Sequence, residues 1–175
     1  MVFSSSVRLW LVPSAVILLT MGVWGGLRYG DLPDRIPQHI GVDGVDAWTD
    51  RSIGSAFVLV FVYAGVTALI AGSAELTLRV TPRDELSEAD PRPFATGASA
   101  SLVNRPRDRA SAHRIARVLL LFNALIGVSL LLGCGILWRS TSDPHVPGWV
   151  FGAMMAPFVV GTVLTVAAAV RDRRR

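Results

Sequence analysis

The sequence predicts an all-α membrane protein: four transmembrane helices, with a small extracytoplasmic β-hairpin between helices 1 and 2. Three observations carry that prediction. Four apolar stretches without a single charge lie between Arg8 and Arg28, Arg51 and Glu75, Arg117 and Arg139, and from Pro147 to Val170. Each is roughly 19 to 24 residues, and at about 1.5 Å per residue that matches a hydrocarbon core of about 30 Å. The basic residues cluster at the ends of these stretches and in one loop. The segment joining the first two stretches alternates apolar and polar residues on either side of a turn signal. In 175 residues with a mean hydropathy of +0.48, nothing is left over for a soluble domain that could bury four such stretches.

The first stretch holds Pro13 and ends Gly22-Val-Trp-Gly-Gly-Leu-Arg28. Its apolar core exceeds the ~7–15 residues of a secretory signal, and its end lacks a small-x-small cleavage site, so it is expected to stay as the first span. The second and fourth stretches carry small residues four apart: Ala64, Ala68 and Gly72 on the second, and Ala153, Gly161, Thr165 and Ala169 on the fourth, with Pro157 in register. Small residues at that spacing let helix backbones approach closely. The middle segment is rich in Pro, Ser and mixed charge, and Pro82, Pro91, Pro93 and Pro106 break any long helix. The expected organisation is a helix pair with its hairpin over residues 1–80, a disordered cytoplasmic loop over 81–114, and a second helix pair with a basic tail over 115–175. From Asp108 to Arg117 the chain is compatible with a helix running into the third span. His113 and the neighbouring Arg residues would then meet lipid headgroups.

Arginine sets the expected orientation. All 17 basic residues are Arg, a bias typical of high-GC bacterial coding. Eight lie from Arg79 to Arg117 and four in the tail, against three in residues 28–51, where five Asp accompany them. By the positive-inside rule both termini and the middle segment face the cytoplasm, and residues 28–52 and 139–147 face outward. The expected location is the cytoplasmic membrane, multi-pass. Trp24, Trp48, Trp138 and Trp149 then fall near the outer boundary and Trp10 near the inner one, as an aromatic belt requires.

The residues that could carry chemistry are few. Glu75 stands four residues before Arg79, the spacing of a helical ion pair. Asn123, the most polar residue inside a span, suits an interhelical hydrogen bond. Cys134 stands alone, so no disulfide or Cys-pair zinc site can form within the chain. There is no His-Glu-x-x-His, Gly-x-Ser-x-Gly or P-loop pattern, and no catalytic residues, cofactor or enzymatic activity are expected. His39 has Asp43, Asp46 and Asp50 nearby, but Pro37, Gly41 and Gly44 prevent the helix that would align them, so no metal site is expected. A basic patch with interleaved aromatics is absent, which argues against nucleic acid as a partner.

Residues 32–48 are the most informative segment. Asp43-Gly44 is a two-residue turn signal. With those two in the turn, Val42 faces Val45, Gly41 faces Asp46, Ile40 faces Ala47 and His39 faces Trp48. Alternation sends Ile40, Val42, Val45 and Ala47 to one face and His39, Asp46 and Trp48 to the other. A lone hairpin is marginal, so its apolar face needs support from the ends of the spans. Pro33 and Pro37 stiffen the approach.

The run Leu32-Pro33-x-x-Ile36-Pro37-x-His39, followed by Gly44, Asp46 and Trp48, resembles the short domain of unknown function found in bacterial membrane proteins of the SdpI immunity type. The resemblance covers roughly residues 15–70. Ile40 and Gly41 follow the His, where that family usually has an aromatic residue and Asn. The resemblance implies a motif set between a first and a second transmembrane helix, and a role in immunity or signalling. The expected function is therefore a non-enzymatic envelope protein, with His39, Asp46 and Trp48 as the binding face and Pro33, Pro37, Asp43 and Gly44 shaping the loop. The competing expectation is an accessory subunit of a transporter or other membrane complex. The expected partners are the lipid bilayer and either another membrane protein or an extracytoplasmic peptide.

Overall fold

In hydrocarbon a backbone can satisfy its N–H and C=O groups only along its own chain, so each apolar stretch closes into a helix. The computed structural model describes residues 4–41, 44–85, 105–139 and 146–174. Within them the long helices are α1 (Ser5–Arg28), α3 (Val58–Arg79), α4 (Arg109–Leu137) and α5 (Trp149–Arg174). All four are long and apolar enough to cross a membrane. Between α1 and α3 lie the strands β1 (Arg35–Gly41) and β2 (Gly44–Asp50) and the one-turn helix α2 (Ile53–Ala56). This is the architecture expected: a helical, multi-pass membrane protein with an antiparallel hairpin between the first two spans.

Side chains open the helices where the backbone runs out of partners. The Ser4 hydroxyl accepts from Val7 N at 3.4 Å, and the Asp108 carboxylate accepts from Ser111 N at 2.6 Å. α4 thus begins at Arg109, and the stretch from Asp108 to Arg117 runs into the third span as expected. The Ser111 N–H holds the Asp108 carboxyl below the usual carboxylate range. The second span does not start as one piece. Ser52 and Ser55 form a reciprocal capping box that sets up α2, and Phe57 (φ −112°, ψ 13°) breaks the run before α3. The break turns the Phe57 ring toward Tyr29 and Trp138, with centroids 6.1 and 5.9 Å away.

α4 is the hub, packed against α1, α3 and α5. At its middle Asn123 is fully buried. Its amide donates to Ser14 Oγ of α1 at 2.8 Å and to Thr67 Oγ1 of α3 at 3.1 Å, while the Tyr63 hydroxyl donates to its backbone carbonyl at 3.2 Å. Three helices therefore meet on one side chain, the interhelical role expected of it. Tyr63 fits only because residue 127 is glycine: a Cβ there would run into the phenol. At the end opposite the hairpin, Glu75 accepts from Ser4 N (3.0 Å) and Arg79 Nε (2.8 Å), so the expected Glu–Arg pair also ties α1 to α3. Cys134 is buried in the apolar core as a small packing residue.

Two expectations change. On α3 the stripe Ala64, Ala68 and Gly72 faces outward, and the buried residues are Tyr63, Ala71, Ala74 and Glu75. Tyr63 and Thr67 must turn toward Asn123, and residues next to them in sequence lie about 100° round the helix. On α5 the corresponding stripe does pack, with Gly161 buried under Phe122. The segment expected to be a loose loop is ordered at both ends. Arg83 N and Asp84 N donate to the carbonyls of Pro106 and Arg107, each at 3.1 Å, and Pro82 and Pro106 are fully buried. Arg109 grips both oxygens of Glu85 at 2.8 and 2.7 Å. The rest of that loop, residues 86–104, lies outside the described residues.

Replacing Asn123 with Leu should cost about 1–2 kcal/mol, the scale of interhelical hydrogen bonds in membranes, read as a lower unfolding midpoint in mixed micelles. Gly127→Val should cost more, because it displaces a buried ring. Asp108→Ala should lower the midpoint at neutral pH, and Asp108→Asn much less. The cap's carboxyl is depressed in the fold. Its contribution is therefore complete above the unfolded carboxylate value and is lost as pH falls through the lower folded one. The gap between wild type and Asp108→Ala should accordingly shrink in acid.

Candidate functional site: the hairpin and the cavity beneath it

The hairpin is held at its base. Arg51 N donates to Asp34 O at 2.7 Å, and the Arg51 guanidinium donates to Leu32 O at 2.5 Å and to Asp34 Oδ1 at 3.4 Å. The same guanidinium lies 5.8 Å from the centre of the Tyr29 ring. One cation thus fastens the end of β2 to the chain leaving α1. Leu32, Ile36 and Pro37 are buried there, and Leu32 and Ile36 join the core with Met21, Ala56 and Trp138. Trp138 completes the support: its indole donates to Ala56 O at 3.0 Å and meets Trp24 edge-on at 5.6 Å. The expected support for the hairpin is present, but it comes through the base. Farther out, Val45 and Ala47 are only half-buried.

The register differs from the expected one. The pairs are Arg35 with Asp50, Ile36 with Thr49, Pro37 with Trp48, His39 with Ala47, Ile40 with Val45 and Gly41 with Gly44. Gly44 is therefore the first residue of β2 and not part of the turn. Asp43, its expected turn partner, lies outside the described residues. The physical reason is that the clamp at Arg51 sets the alignment from the base, and the turn has to follow it. Pairing is irregular at two places, which skip Gln38 on β1 and Asp46 on β2. These compensate, and they bring His39 beside Asp46.

His39 Nδ1 lies 2.6 Å from Asp46 Oδ1, both side chains being exposed. An ionised carboxylate can only accept, so Nδ1 carries the proton in this contact and Nε2 is left as an acceptor while the ring is neutral. His39 also lines a cavity of about 680 Å³. The hairpin supplies Pro37, Gln38, His39 and Thr49 to it, and α2 supplies Gly54 and Ser55. Val58 and Leu59 of α3, Gly133, Ile136 and Leu137 of α4, and Phe151 and Met154 of α5 make the apolar walls. The volume falls within the range of small-molecule sites, and so does the plan of apolar walls with a few polar groups. Ser55 Oγ is engaged, donating to Asp50 O at 2.8 Å, so Gln38, His39 and Thr49 set the polar rim.

Of the expected binding residues, His39 and Asp46 are brought together. Trp48 is half-buried opposite Pro37, apart from the His39–Asp46 contact, and neither Asp46 nor Trp48 reaches the cavity lining. Pro33 is half-buried before β1. Among the described residues no three His, Cys, Asp or Glu side chains converge as metal ligands. Sequence reasoning missed Arg51 as the clamp, although it is the basic residue closing an acid-rich loop. It also missed the cavity, whose walls lie up to about a hundred residues from the hairpin and carry no local signal.

These features define the class: a multi-pass membrane protein with a base-clamped hairpin roofing a cavity at one end of its bundle. Residues 16–63 match the family model for a domain of unknown function, DUF1648. The match runs from within α1 through the hairpin to Tyr63, so it contains the clamp and the polar rim. No curated protein and no solved structure gives a match.

Arg51→Leu should free the hairpin while leaving the spans intact. In proteoliposomes with the hairpin outward, tryptic cleavage at Arg35 should rise several-fold, with unchanged helical circular dichroism. Arg51→Lys should be intermediate, since an ammonium cannot reproduce the guanidinium's fork. An unchanged cleavage rate in Arg51→Leu would show that the base is held by other contacts.

Proposed function

We propose that this chain is a non-enzymatic protein of the bacterial cytoplasmic membrane that recognises an extracytoplasmic agent at its hairpin end, in immunity or in signal sensing. The single observation carrying the reading is the cavity of about 680 Å³ roofed by the hairpin, apolar in its walls and rimmed by His39. The Arg distribution supports the orientation, with both termini inside and the hairpin outside. An agent with an apolar body and one hydrogen-bonding group suits the site: the walls take the body, and His39, oriented by Asp46, takes the polar group. A peptide that partitions into the membrane surface has this character. The resemblance of the 32–48 segment to the SdpI immunity type supports the same reading. The alternative is an accessory subunit of a transporter or other complex. The outward stripe of Ala64, Ala68 and Gly72 favours it, because such a surface admits another helix closely.

The test is a deletion strain challenged with a panel of membrane-active peptides. The wild-type gene should restore resistance to at least one of them. Met154→Trp, which fills the cavity, and His39→Ala, which removes the rim group, should each lose at least tenfold in protection at unchanged membrane abundance. Equal sensitivity of deletion and wild type across the panel would refute the immunity reading. Full protection by both variants would remove the cavity from the function.

A further inference from the structure

We propose that the groove between α1 and α5, on the flank of α4 away from the hairpin cavity, binds an anionic phospholipid. Its phosphate lies on Arg139 and one acyl chain runs along α4. The groove has a volume of about 560 Å³. Trp24 of α1 forms one wall and Trp149 and Ala153 of α5 the other, over a floor of Leu131, Leu132 and Gly135. It is a separate space from the proposed recognition site, adjoining it at Ile136 of α4, which lines both.

Three features select the occupant. Among the described residues of the lining Arg139 alone is charged, so an anion at the mouth and an apolar body below it complement the groove. The Arg139 guanidinium lies 5.4 Å from the centre of the Trp24 ring. Such stacking leaves the edge N–H groups available for a planar fork on phosphate. The other clamped cations near this end are committed, Arg28 to Asp31 at 3.3 Å and Arg51 to Leu32 and Asp34. The second feature is depth. From Leu137, where α4 ends just before Arg139, down to Leu131 is six residues of helix, about 9 Å, against about 15 Å for one leaflet's share of the hydrocarbon core. A chain entering beside Arg139 therefore meets protein over most of its leaflet. The third is Gly135, which lets the Trp24 wall close against α4: a Cβ there would come within 3.1 Å of the Trp24 ring. The two tryptophans carry both an apolar body and a polar N–H, the character that places them at headgroup level.

The experiment is native mass spectrometry of the full-length protein, titrated with phosphatidylglycerol and, separately, with phosphatidylcholine of the same acyl chains. One phosphatidylglycerol should be retained with at least tenfold preference over phosphatidylcholine. Arg139→Gln should bring the preference to within twofold. Gly135→Phe should remove the retained lipid by blocking the chain, and Ala153→Trp, on the opposite wall, does the same work if Gly135→Phe fails to accumulate. Arg117→Gln, at the other end of α4, should change nothing. Equal retention of both lipids by the wild type would mean annular lipid only and overturn the proposal. So would a preference that survives Arg139→Gln, or a dimer abolished by Gly135→Phe, which would make the groove a protein interface. None of these outcomes bears on resistance to peptides, so this proposal and the recognition reading fail separately.

Discussion

A primary amide in the middle of a membrane bundle has no water to fall back on, and the arrangement of this protein follows from satisfying it. Asn123 donates to Ser14 and Thr67, and Tyr63 reaches its carbonyl, so α1, α3 and α4 each have one rotation about their axes in which the network closes. Apolar packing alone would not choose those rotations, because lipid is as good a neighbour for Leu or Val as another helix is. Once they are chosen, the rest of each face is assigned. Gly127 must lie under Tyr63, and Ala64, Ala68 and Gly72 must face outward.

The same logic, with a cation in place of the amide, operates at the hairpin end. Two strands cannot stabilise themselves in water, and this pair is fastened where it meets the bundle. Arg51 joins the end of β2 to the carbonyl of Leu32, and Ile36 is sunk among Met21, Ala56 and Trp138. Because the base is fixed and buried, the outer part of the sheet can stand over the bundle end with its polar side exposed. His39 and Asp46 meet there through two compensating irregularities in the ladder.

The position of α5 explains why the bundle has open space at that end. It packs on α4, along the face where Gly161 sits under Phe122 and the Ser129 hydroxyl donates to Met154 O at 2.6 Å. On either side of that contact the flanks of α4 line open space. One flank is roofed by the hairpin and rimmed by hydrogen-bonding groups; the other ends at the Arg139 guanidinium beside two indoles. The chemistry of the two spaces differs because the residues at their mouths differ, while their floors are similar.

By itself the sequence determined the properties that depend on composition along a short stretch. Four uncharged runs specify four helices, since hydrocarbon allows the backbone no other local solution. The Pro- and Gly-rich segment between two of them specifies a hairpin. The i, i+4 spacing of Glu75 and Arg79 specifies their pair, and an isolated Asn in a span specifies an interhelical bond. Only the tertiary structure decided the hairpin register, because strand alternation repeats every two residues and a long-range contact at Arg51 outweighed the local turn signal of Asp43-Gly44. Only it decided which small-residue stripe packs, because that depends on where Tyr63 and Thr67 find a partner 56 to 60 residues away. The cavity, too, was beyond the reach of sequence: His39 is visible as a motif residue, but Ile136 and Met154 are ordinary apolar side chains until the fold brings them under the hairpin.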